Sequence, residues 1–164
     1  MERELIVTGI GGQGIQLLAK TLALAATREG KHAMLSADYG GEMRGGPSKA
    51  SVVIGDAPLK ALPVLPSAWS AIVAHHRFSE PAVARLRPGG PVVVNVPLVE
   101  PGPLRELFTV YEVDAASLFP KAIGFVLLGA YNAVTRLVQP ESLAAAMEEL
   151  ATHSLQAART HQIA

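Results

Sequence analysis

A glycine-rich turn near the start of the chain contains the first residues whose types and spacing suggest chemistry. Gly9, Gly11 and Gly14 match the G-x-G-x-x-G pattern of dinucleotide-binding turns, and they lie between a predicted strand and a predicted helix. Backbone N–H groups at a helix N-terminus favour an anion, and glycines let it approach closely. Three interpretations stay open: a tight turn without a ligand, an anion or phosphate contact, and dinucleotide binding. For dinucleotide binding the only candidate acid is Asp38, which follows the second strand a little late.

A second segment, residues 39–48, has the sequence Tyr-Gly-Gly-Glu-Met-Arg-Gly-Gly-Pro-Ser and is unusually rich in functional groups. Arg44 offers a planar fork for a carboxylate or phosphate, and Glu42 is close enough in sequence to orient it. Gly45 and Gly46 leave the neighbouring backbone open to a ligand or to another chain. The alternative is a surface loop with an internal Glu–Arg pair. An RNA-binding segment is disfavoured, because Arg-Gly-Gly occurs once and without basic surroundings.

Both segments are expected at the same edge of a sheet. The first follows the first predicted strand, the second follows the second, and ligands of open α/β sheets bind at the carboxyl ends of the strands. We therefore expect the following residues to face one crevice: Gly11, Gly12, Gln13, Tyr39, Glu42 and Arg44.

The elements that must position these residues begin with a strand–helix–strand unit. Residues 5–8 are a β-branched apolar run, residues 15–26 have helical apolar spacing, and residues 32–37 resemble a second strand. A parallel return needs a dozen or more residues, so the next strand, residues 49–54, is predicted to run antiparallel. We predict one α/β domain over residues 1–164, a three-layer α/β/α sandwich with a mostly parallel, mixed sheet and a Rossmann-like start.

Further strands and helices are predicted in the second half. The strands are 68–74, 91–96 and 107–113, and the helices are 123–138 and a last one that begins at Pro140. Ser79 is expected to cap a short helix with Pro81 in its first turn. Trp69 is expected in the core. On an extended chain His75 and His76 point to opposite sides, which favours a polar rim over a metal site.

The composition limits the classes of function. The 164 residues contain no cysteine, so this chain forms no disulfide, thiolate-ligated iron–sulfur cluster or cysteine nucleophile. Lys and Arg total 14, as do Asp and Glu, so no charge excess favours nucleic acid or an anionic membrane. No apolar run approaches the ~18 residues of a membrane span, and the first residues lack the apolar segment of a signal peptide. We therefore expect a cytoplasmic protein.

Together, the two glycine segments resemble the gamma domain of 2-oxoacid:ferredoxin oxidoreductases. The matching pieces are residues 9–15 (Gly-Ile-Gly-Gly-Gln-Gly-Ile), 39–48, 50–56 and 88–95, and the resemblance covers nearly the whole chain. Gly-Gly-Gln-Gly combined with Glu-x-Arg-Gly-Gly is much more specific than either half. The Tyr-Gly-x-Glu form is most similar to the separate small subunit of 2-oxoglutarate- or 2-oxoisovalerate-type enzymes, and indolepyruvate oxidoreductase subunits are also similar.

The resemblance implies a small, non-autonomous subunit of an oxidoreductase acting on pyruvate, 2-oxoglutarate or a related 2-oxoacid. The complete enzyme would decarboxylate the 2-oxoacid oxidatively, reduce ferredoxin and release an acyl-CoA, with CoA as co-substrate. The resemblance places thiamine diphosphate, Mg and the iron–sulfur clusters on alpha and beta partner subunits, with or without a delta subunit. It implies no catalytic residue and no metal on this chain. The charge balance described above favours no nucleic-acid and no membrane partner, and self-association of the isolated chain into a homo-oligomer stays open.

The positions that match the family's loops are candidate contacts with CoA or with a partner subunit, and Arg44 is the charged anchor among them. They are Gly11, Gly12, Gln13, Gly14, Tyr39, Glu42, Arg44, Gly45 and Gly46. The chain departs from the family in the late helix, where residues 124–129 lack the Asn that members often have before a Leu-Gly pair. Two alternatives stay open: a standalone Rossmann-like nucleotide-binding protein and a purely structural assembly module.

Overall fold

The computed structural model describes residues 1–37, 45–60 and 65–163, with side chains to residue 152. Its elements are β1 (Glu2–Ile10), α1 (Ile15–Arg28), β2 (His32–Ala37), β3 (Pro47–Gly55), β4 (Ser70–Val73), α2 (Glu80–Val83), β5 (Pro91–Asn95), α3 (Gly102–Arg105), β6 (Thr109–Val113), α4 (Ala115–Leu118), α5 (Ile123–Thr135) and α6 (Pro140–Ile163).

The strands form one mixed sheet in the order β2-β3-β1-β4-β5-β6. β3 runs antiparallel to both of its neighbours, β1 and β2. β1, β4, β5 and β6 run parallel to one another. The predicted antiparallel third strand is confirmed, and residues 38–46 between β2 and β3 are too few for a parallel crossover. Because β3 is antiparallel to both β1 and β2, these two strands point in the same direction and end at the same edge of the sheet. We call this the carboxyl edge.

Apolar side chains cover both faces of the sheet. In β1, Leu5 and Val7 join the core under α1, α5 and α6, whereas Ile6 joins a second core under α2, α3 and the connecting loops. In β5, Val93 faces the first core, Val92 and Val94 face the second, and all three are fully buried. This alternation follows from the two-residue period of a strand. The three-layer α/β prediction is confirmed, with one layer made of short helices and loops.

Two local predictions about the second half are wrong. Trp69 is half-buried rather than in the core, because it precedes β4 and lies under the Arg3 guanidinium, 4.3 Å from its ring centroid. Ser79 makes no side-chain cap, since its hydroxyl donates instead to the His76 carbonyl at 2.7 Å. Pro81 does lie in the first turn of α2, as predicted.

Within residues 1–37, 45–60 and 65–163, no helix has both the length and the apolar character needed to cross a membrane.

Candidate functional site

The turn between β1 and α1 presents the N-terminus of α1 at the carboxyl edge. Gly12 (φ 98°) and Gly14 (φ 76°) have the left-handed conformation that glycine adopts without strain, and Gly14 is the N-cap residue. No side chain caps α1 and its first turn contains no acidic residue. The partial positive charge of the helix N-terminus is therefore not offset by the helix's own side chains.

The two glycine segments meet at this edge. The Gly11 N–H donates to the Gly46 carbonyl at 2.8 Å, and the Gly45 N–H donates to the Gly11 carbonyl at 3.2 Å. These hydrogen bonds continue the β1–β3 pairing beyond Ile10 and Pro47. The structure thus brings Gly11, Gly45 and Gly46 together. The other members of the second segment, Tyr39, Glu42 and Arg44, lie outside the described residues, as does Asp38.

Gln13 turns into the protein rather than towards a crevice. It is 8% exposed, its Oε1 accepts from the Ile10 N–H at 2.9 Å, and its Nε2 donates to the Ala74 carbonyl at 3.0 Å. A Cβ at residue 9 would lie 2.6 Å from that Oε1, so only glycine fits at this position. The Gln13 amide therefore ties the glycine turn to the end of β4, and its backbone is the part left for a ligand.

The Ala74 carbonyl accepts a second hydrogen bond, from Asn95 Nδ2 at 3.1 Å. Asn95 is buried at the end of β5, and its Oδ1 accepts from the Ala115 N–H at the start of α4. Two side-chain amides thus join β1, β4, β5 and α4 through one carbonyl. We call Gln13 and Asn95 with their shared acceptor Ala74 the amide clamp. It holds the loops of the carboxyl edge in fixed relative positions.

A cleft of about 380 Å³ opens between the glycine turn and the start of α5. Its walls include Gly12, Gly14, Lys121 and Phe125. The first residues of α1 and α5 also line the cleft, and neither helix has a side-chain cap or an acid in its first turn. Two helix N-termini with uncompensated partial positive charge, and a lysine, therefore face this space. The sequence reasoning did not find Lys121. The sequence feature that could have indicated Lys121 is a basic residue directly before an apolar helix with a glycine in its first turn.

Gly124 allows this close approach of α5. A Cβ at residue 124 would lie 2.9 Å from the Gly14 carbonyl oxygen and 3.1 Å from that of Gln13. The first turn of α5 therefore packs directly on the backbone of the glycine turn, and any larger residue there would separate the two.

His75 and His76 follow β4 at the same edge. Their ring centroids are 4.6 Å apart, so the prediction that they point to opposite sides is wrong, because the chain is no longer extended after Val73. His75 Nδ1 accepts from the Arg77 N–H, and His76 Nδ1 lies 3.0 Å from the Leu98 carbonyl. Partial burial, and then the neighbouring His76 and Arg77 charges, lower the pKa of His75. Among the described residues, no three His, Asp or Glu side chains group as metal ligands would.

Comparison with known proteins identifies the class. The family model described as pyruvate ferredoxin/flavodoxin oxidoreductase matches residues 4–160. The 2-oxoglutarate synthase subunit KorC of Methanocaldococcus jannaschii is 30% identical over 151 residues, which are 87% of this chain and 80% of that protein.

Solved structures of such enzymes contain the same fold. The gamma subunit of a keto/oxoacid ferredoxin oxidoreductase from Geobacter sulfurreducens superposes with a TM-score of 0.72 at 28% identity, over 89% of this chain and 83% of that one. The 2-oxoglutarate:ferredoxin oxidoreductase of Magnetococcus marinus has the same fold, with a TM-score of 0.71 at 19% identity, over 88% of this chain and 26% of that much longer one.

The chain therefore belongs to the pyruvate ferredoxin/flavodoxin oxidoreductase family. Within it, the chain is a small subunit of the gamma type, part of a 2-oxoacid:ferredoxin oxidoreductase that needs further subunits. The resemblance drawn from the two glycine segments is confirmed, and the standalone nucleotide-binding alternative is not favoured.

Proposed function

We propose that residues 1–164 form one gamma-type domain whose carboxyl edge is an anion-binding rim for CoA in the assembled oxidoreductase. The complete enzyme oxidatively decarboxylates a 2-oxoacid, transfers electrons to ferredoxin and forms an acyl-CoA, and this chain is inactive alone. The observation that carries the proposal is the pair of hydrogen bonds between Gly11 and the Gly45–Gly46 segment. They put both glycine segments beside the uncapped N-terminus of α1.

The rim would act through charge and backbone donors. CoA has a diphosphate and a 3′-phosphate, and anions of this kind bind at helix N-termini whose N–H groups are free. The proposed contacts are the backbone of Gly11, Gly12, Gln13 and Gly14, that of Gly45 and Gly46, and the side chains of Tyr39, Glu42 and Arg44. Arg44 supplies the charged fork, since a guanidinium can donate two parallel hydrogen bonds to a phosphate.

The redox chemistry belongs to partner subunits in this proposal. A thiolate-ligated iron–sulfur cluster requires cysteine, and this chain has none. Its described residues also offer no group of three His, Asp or Glu for a metal such as Mg. The family resemblance assigns thiamine diphosphate with its Mg, and the clusters, to alpha and beta subunits, with or without a delta subunit. This chain holds and orients the co-substrate at the site they complete.

Substituting Arg44 in the complete enzyme tests the rim. Arg44→Ala should raise the KM for CoA about 10- to 150-fold, the range expected when a hydrogen bond to a charged group worth ~1.5–3 kcal/mol is lost. Arg44→Lys should raise it less, because it keeps the charge and loses only the fork. Arg105→Ala is the control, since Arg105 is exposed at the end of α3 and pairs only with Glu112 of β6 among the described residues.

Two outcomes would reject the rim. An unchanged KM for CoA in both Arg44 variants would exclude a phosphate contact. Loss of subunit assembly in Arg44→Ala, with normal KM in whatever complex remains, would favour the alternative of a structural assembly module.

Assaying the intact wild-type enzyme with a panel of 2-oxoacids would identify the substrate.

A further inference from the structure

A further cavity, of about 350 Å³, opens at the edge opposite the carboxyl edge, where the parallel strands begin. We call it the amino-edge pocket. The end of α5 borders it, and the polar and aromatic side chains in its wall are Arg3, Trp69, Thr109 and Tyr111. Small-molecule sites have volumes of about 300–1,000 Å³, so this pocket is large enough for a small organic molecule.

The strands put three of these side chains on the face of the sheet that α5 covers. Arg3 lies two residues before Leu5 of the first core, so the two-residue period of a strand puts both on one face. Tyr111 pairs in register with Val93, which belongs to the same core. Thr109, two residues before Tyr111, follows the same alternation. The pocket is therefore assembled by the sheet from residues distant in sequence.

The Arg3 guanidinium is the charged group of the pocket. Its central carbon lies 4.3 Å from the centroid of the Trp69 ring, a cation–π contact. Among the described residues, Arg3 forms no ion pair and donates no side-chain hydrogen bond. Stacking uses the flat face of a guanidinium and leaves the N–H groups at its edge free. Trp69 thus orients a fork that could donate two parallel hydrogen bonds to an anion.

No acidic side chain among the described residues lines the amino-edge pocket. The acids nearest in sequence point to the other face of the sheet, and they are Glu2, Glu4 and Glu112. Their carboxylates accept there from the Lys60 N–H, the Arg87 guanidinium and the Arg105 guanidinium, respectively. The carbonyl end of α5 contributes only about half a negative charge. The pocket therefore keeps an excess of positive charge.

Tyr131 of α5 is fully buried beside the pocket and does not neutralise Arg3. Ser70 donates its one proton to the Glu4 carbonyl at 2.7 Å, so the Tyr131 hydroxyl, 2.8 Å from Ser70 Oγ, is the donor of that pair. Burial raises the pKa of Tyr131 far above its ordinary value, and the phenol stays neutral. These hydrogen bonds hold α5 against the starts of β1 and β4, and thereby fix the walls of the pocket.

The remaining wall favours a flat ligand. Tyr111 is 37% exposed and presents an aromatic ring, against which another planar group can stack. The Thr109 hydroxyl makes only a long hydrogen bond of 3.4 Å to the Gly89 carbonyl, so it is available to a polar atom of a ligand. A fork for an anion thus lies in the same pocket as an aromatic surface.

We propose that the amino-edge pocket binds a small organic anion, a carboxylate or phosphate attached to an aromatic or other planar group. The anion accepts from the edge of the Arg3 guanidinium, and the planar group lies against Tyr111. Arg3 is roughly 23 Å from Ile10 along the extended strand β1, so this site is at the far end of the sheet from the proposed rim. The inference does not depend on the proposed function.

Trp69 supplies the first test, because it is the one tryptophan of the 164 residues and lies against Arg3. Titrating the full chain with benzoate and with phenyl phosphate should change its fluorescence saturably, and the tighter of the two identifies the anion. Benzamide keeps the flat ring without the charge, and cyclohexanecarboxylate keeps the charge without the flat ring. Each should bind about 10-fold or more weakly, since each lacks one of the two contacts.

Variants measured by calorimetry give the second test. Arg3→Gln should weaken binding of the preferred anion about 10-fold or more, and Arg3→Lys less, because lysine keeps the charge without the fork. Tyr111→Ala should weaken binding of benzoate more than that of inorganic phosphate. The matched control is Arg77→Gln, which removes an exposed arginine at the carboxyl edge and should bind normally. Urea denaturation of each variant would verify that it is folded.

Three results would overturn the proposal. One is the absence of saturable binding of both anions to the wild-type chain. Another is equal weakening by Arg3→Gln and Arg77→Gln. The third is Arg3-dependent binding by the isolated chain that is lost in the complete oxidoreductase, because another subunit then covers the amino edge. None of these results bears on the rim, which the Arg44 assay tests separately.

Discussion

Gln13 is the residue at which sequence and structure differ most usefully. Its place in the glycine motif was predicted to give it a ligand contact, but its amide is engaged with Ile10 and Ala74. The motif predicted an unusual turn, because glycines at this spacing permit backbone conformations that other residues rarely adopt. It did not reveal the direction of the side chain, because the acceptor at Ala74 is 61 positions away in sequence.

Gln13→Leu should therefore destabilise the isolated chain. The substitution removes the acceptor of the part-buried Ile10 N–H and the donor to the buried Ala74 carbonyl, and losing such partners costs about 1–3 kcal/mol. Urea denaturation followed by circular dichroism would measure the change in the free energy of unfolding. Gln139→Leu is the control, since Gln139 is exposed and the change should stay within about 0.5 kcal/mol. Equal effects of the two substitutions would mean that the Gln13 amide does not support the turn.

His75 should make stability sensitive to acid. Its pKa is lowered in the folded state, chiefly by burial, so the unfolded chain takes up a proton at higher pH than the folded chain does. The folded state consequently loses stability as the pH falls below the ordinary His pKa towards the depressed one, and the effect vanishes above the ordinary value.

His75→Gln should reduce the fall in melting temperature between about pH 8 and about pH 5, with little change at the higher value. His32→Gln is the matched control, because His32 is exposed at the start of β2. A melting profile with the same pH dependence in wild type and His75→Gln would show that His75 does not contribute.

At the scale of elements, α5 contains two glycines with opposite roles. Gly124 packs on the backbone of the glycine turn, whereas a Cβ at Gly129 would meet no atom within 4 Å. From the sequence, both glycines were predicted to lie in one apolar helix. It did not distinguish them, because the difference depends on what lies opposite each one.

Gly129→Ala should stabilise the chain by about 0.5–1 kcal/mol, the gain in helix propensity without a steric conflict. Gly124→Ala receives the same local gain, but the new Cβ must displace the Gly14 carbonyl. It should lower stability and raise the KM for CoA of the complete enzyme. Denaturation and CoA titration of the two variants side by side would check this, and similar behaviour of the pair would contradict the packing of α5 on the glycine turn.

Strands were predicted better than short helices. β2 was predicted with its observed limits, His32–Ala37, because Gly30 before it and the glycine-rich segment after it mark its ends. For α2 only the start was predicted; the helix has four residues, Glu80–Val83, and Leu86 beyond it pairs with Ala68 in an isolated parallel bridge. A four-residue helix has too little periodicity to show its limits, and tertiary contacts decide them.

At the scale of the whole molecule, membership of the family could be predicted from the two glycine segments, since their combination is specific. The cleft beside Lys121 could not, because it is assembled from segments distant in sequence.

A chain without cysteine cannot hold a thiolate-ligated iron–sulfur cluster. The isolated chain should bind no iron and show no 2-oxoacid-dependent reduction of a low-potential dye, whereas mixing it with the remaining subunits should restore CoA-dependent turnover. Iron analysis and the dye assay, before and after mixing, would measure both. Dye reduction by the isolated chain would contradict the assignment of the redox centres to other subunits.

The packing of α6 against α1 has a consequence for synthesis of the protein. α1 forms from residues made early, yet Ala25 and Ala26 share a core with Leu143 and Ala146 of α6, and Arg28 pairs with Glu149. While the ribosome is still translating the second half, one apolar side of α1 has no cover from its own chain. The apolar side of α1 that α6 covers is thus open to chaperones until α6 emerges, and slower translation of the segment between α1 and α6 would lengthen that interval.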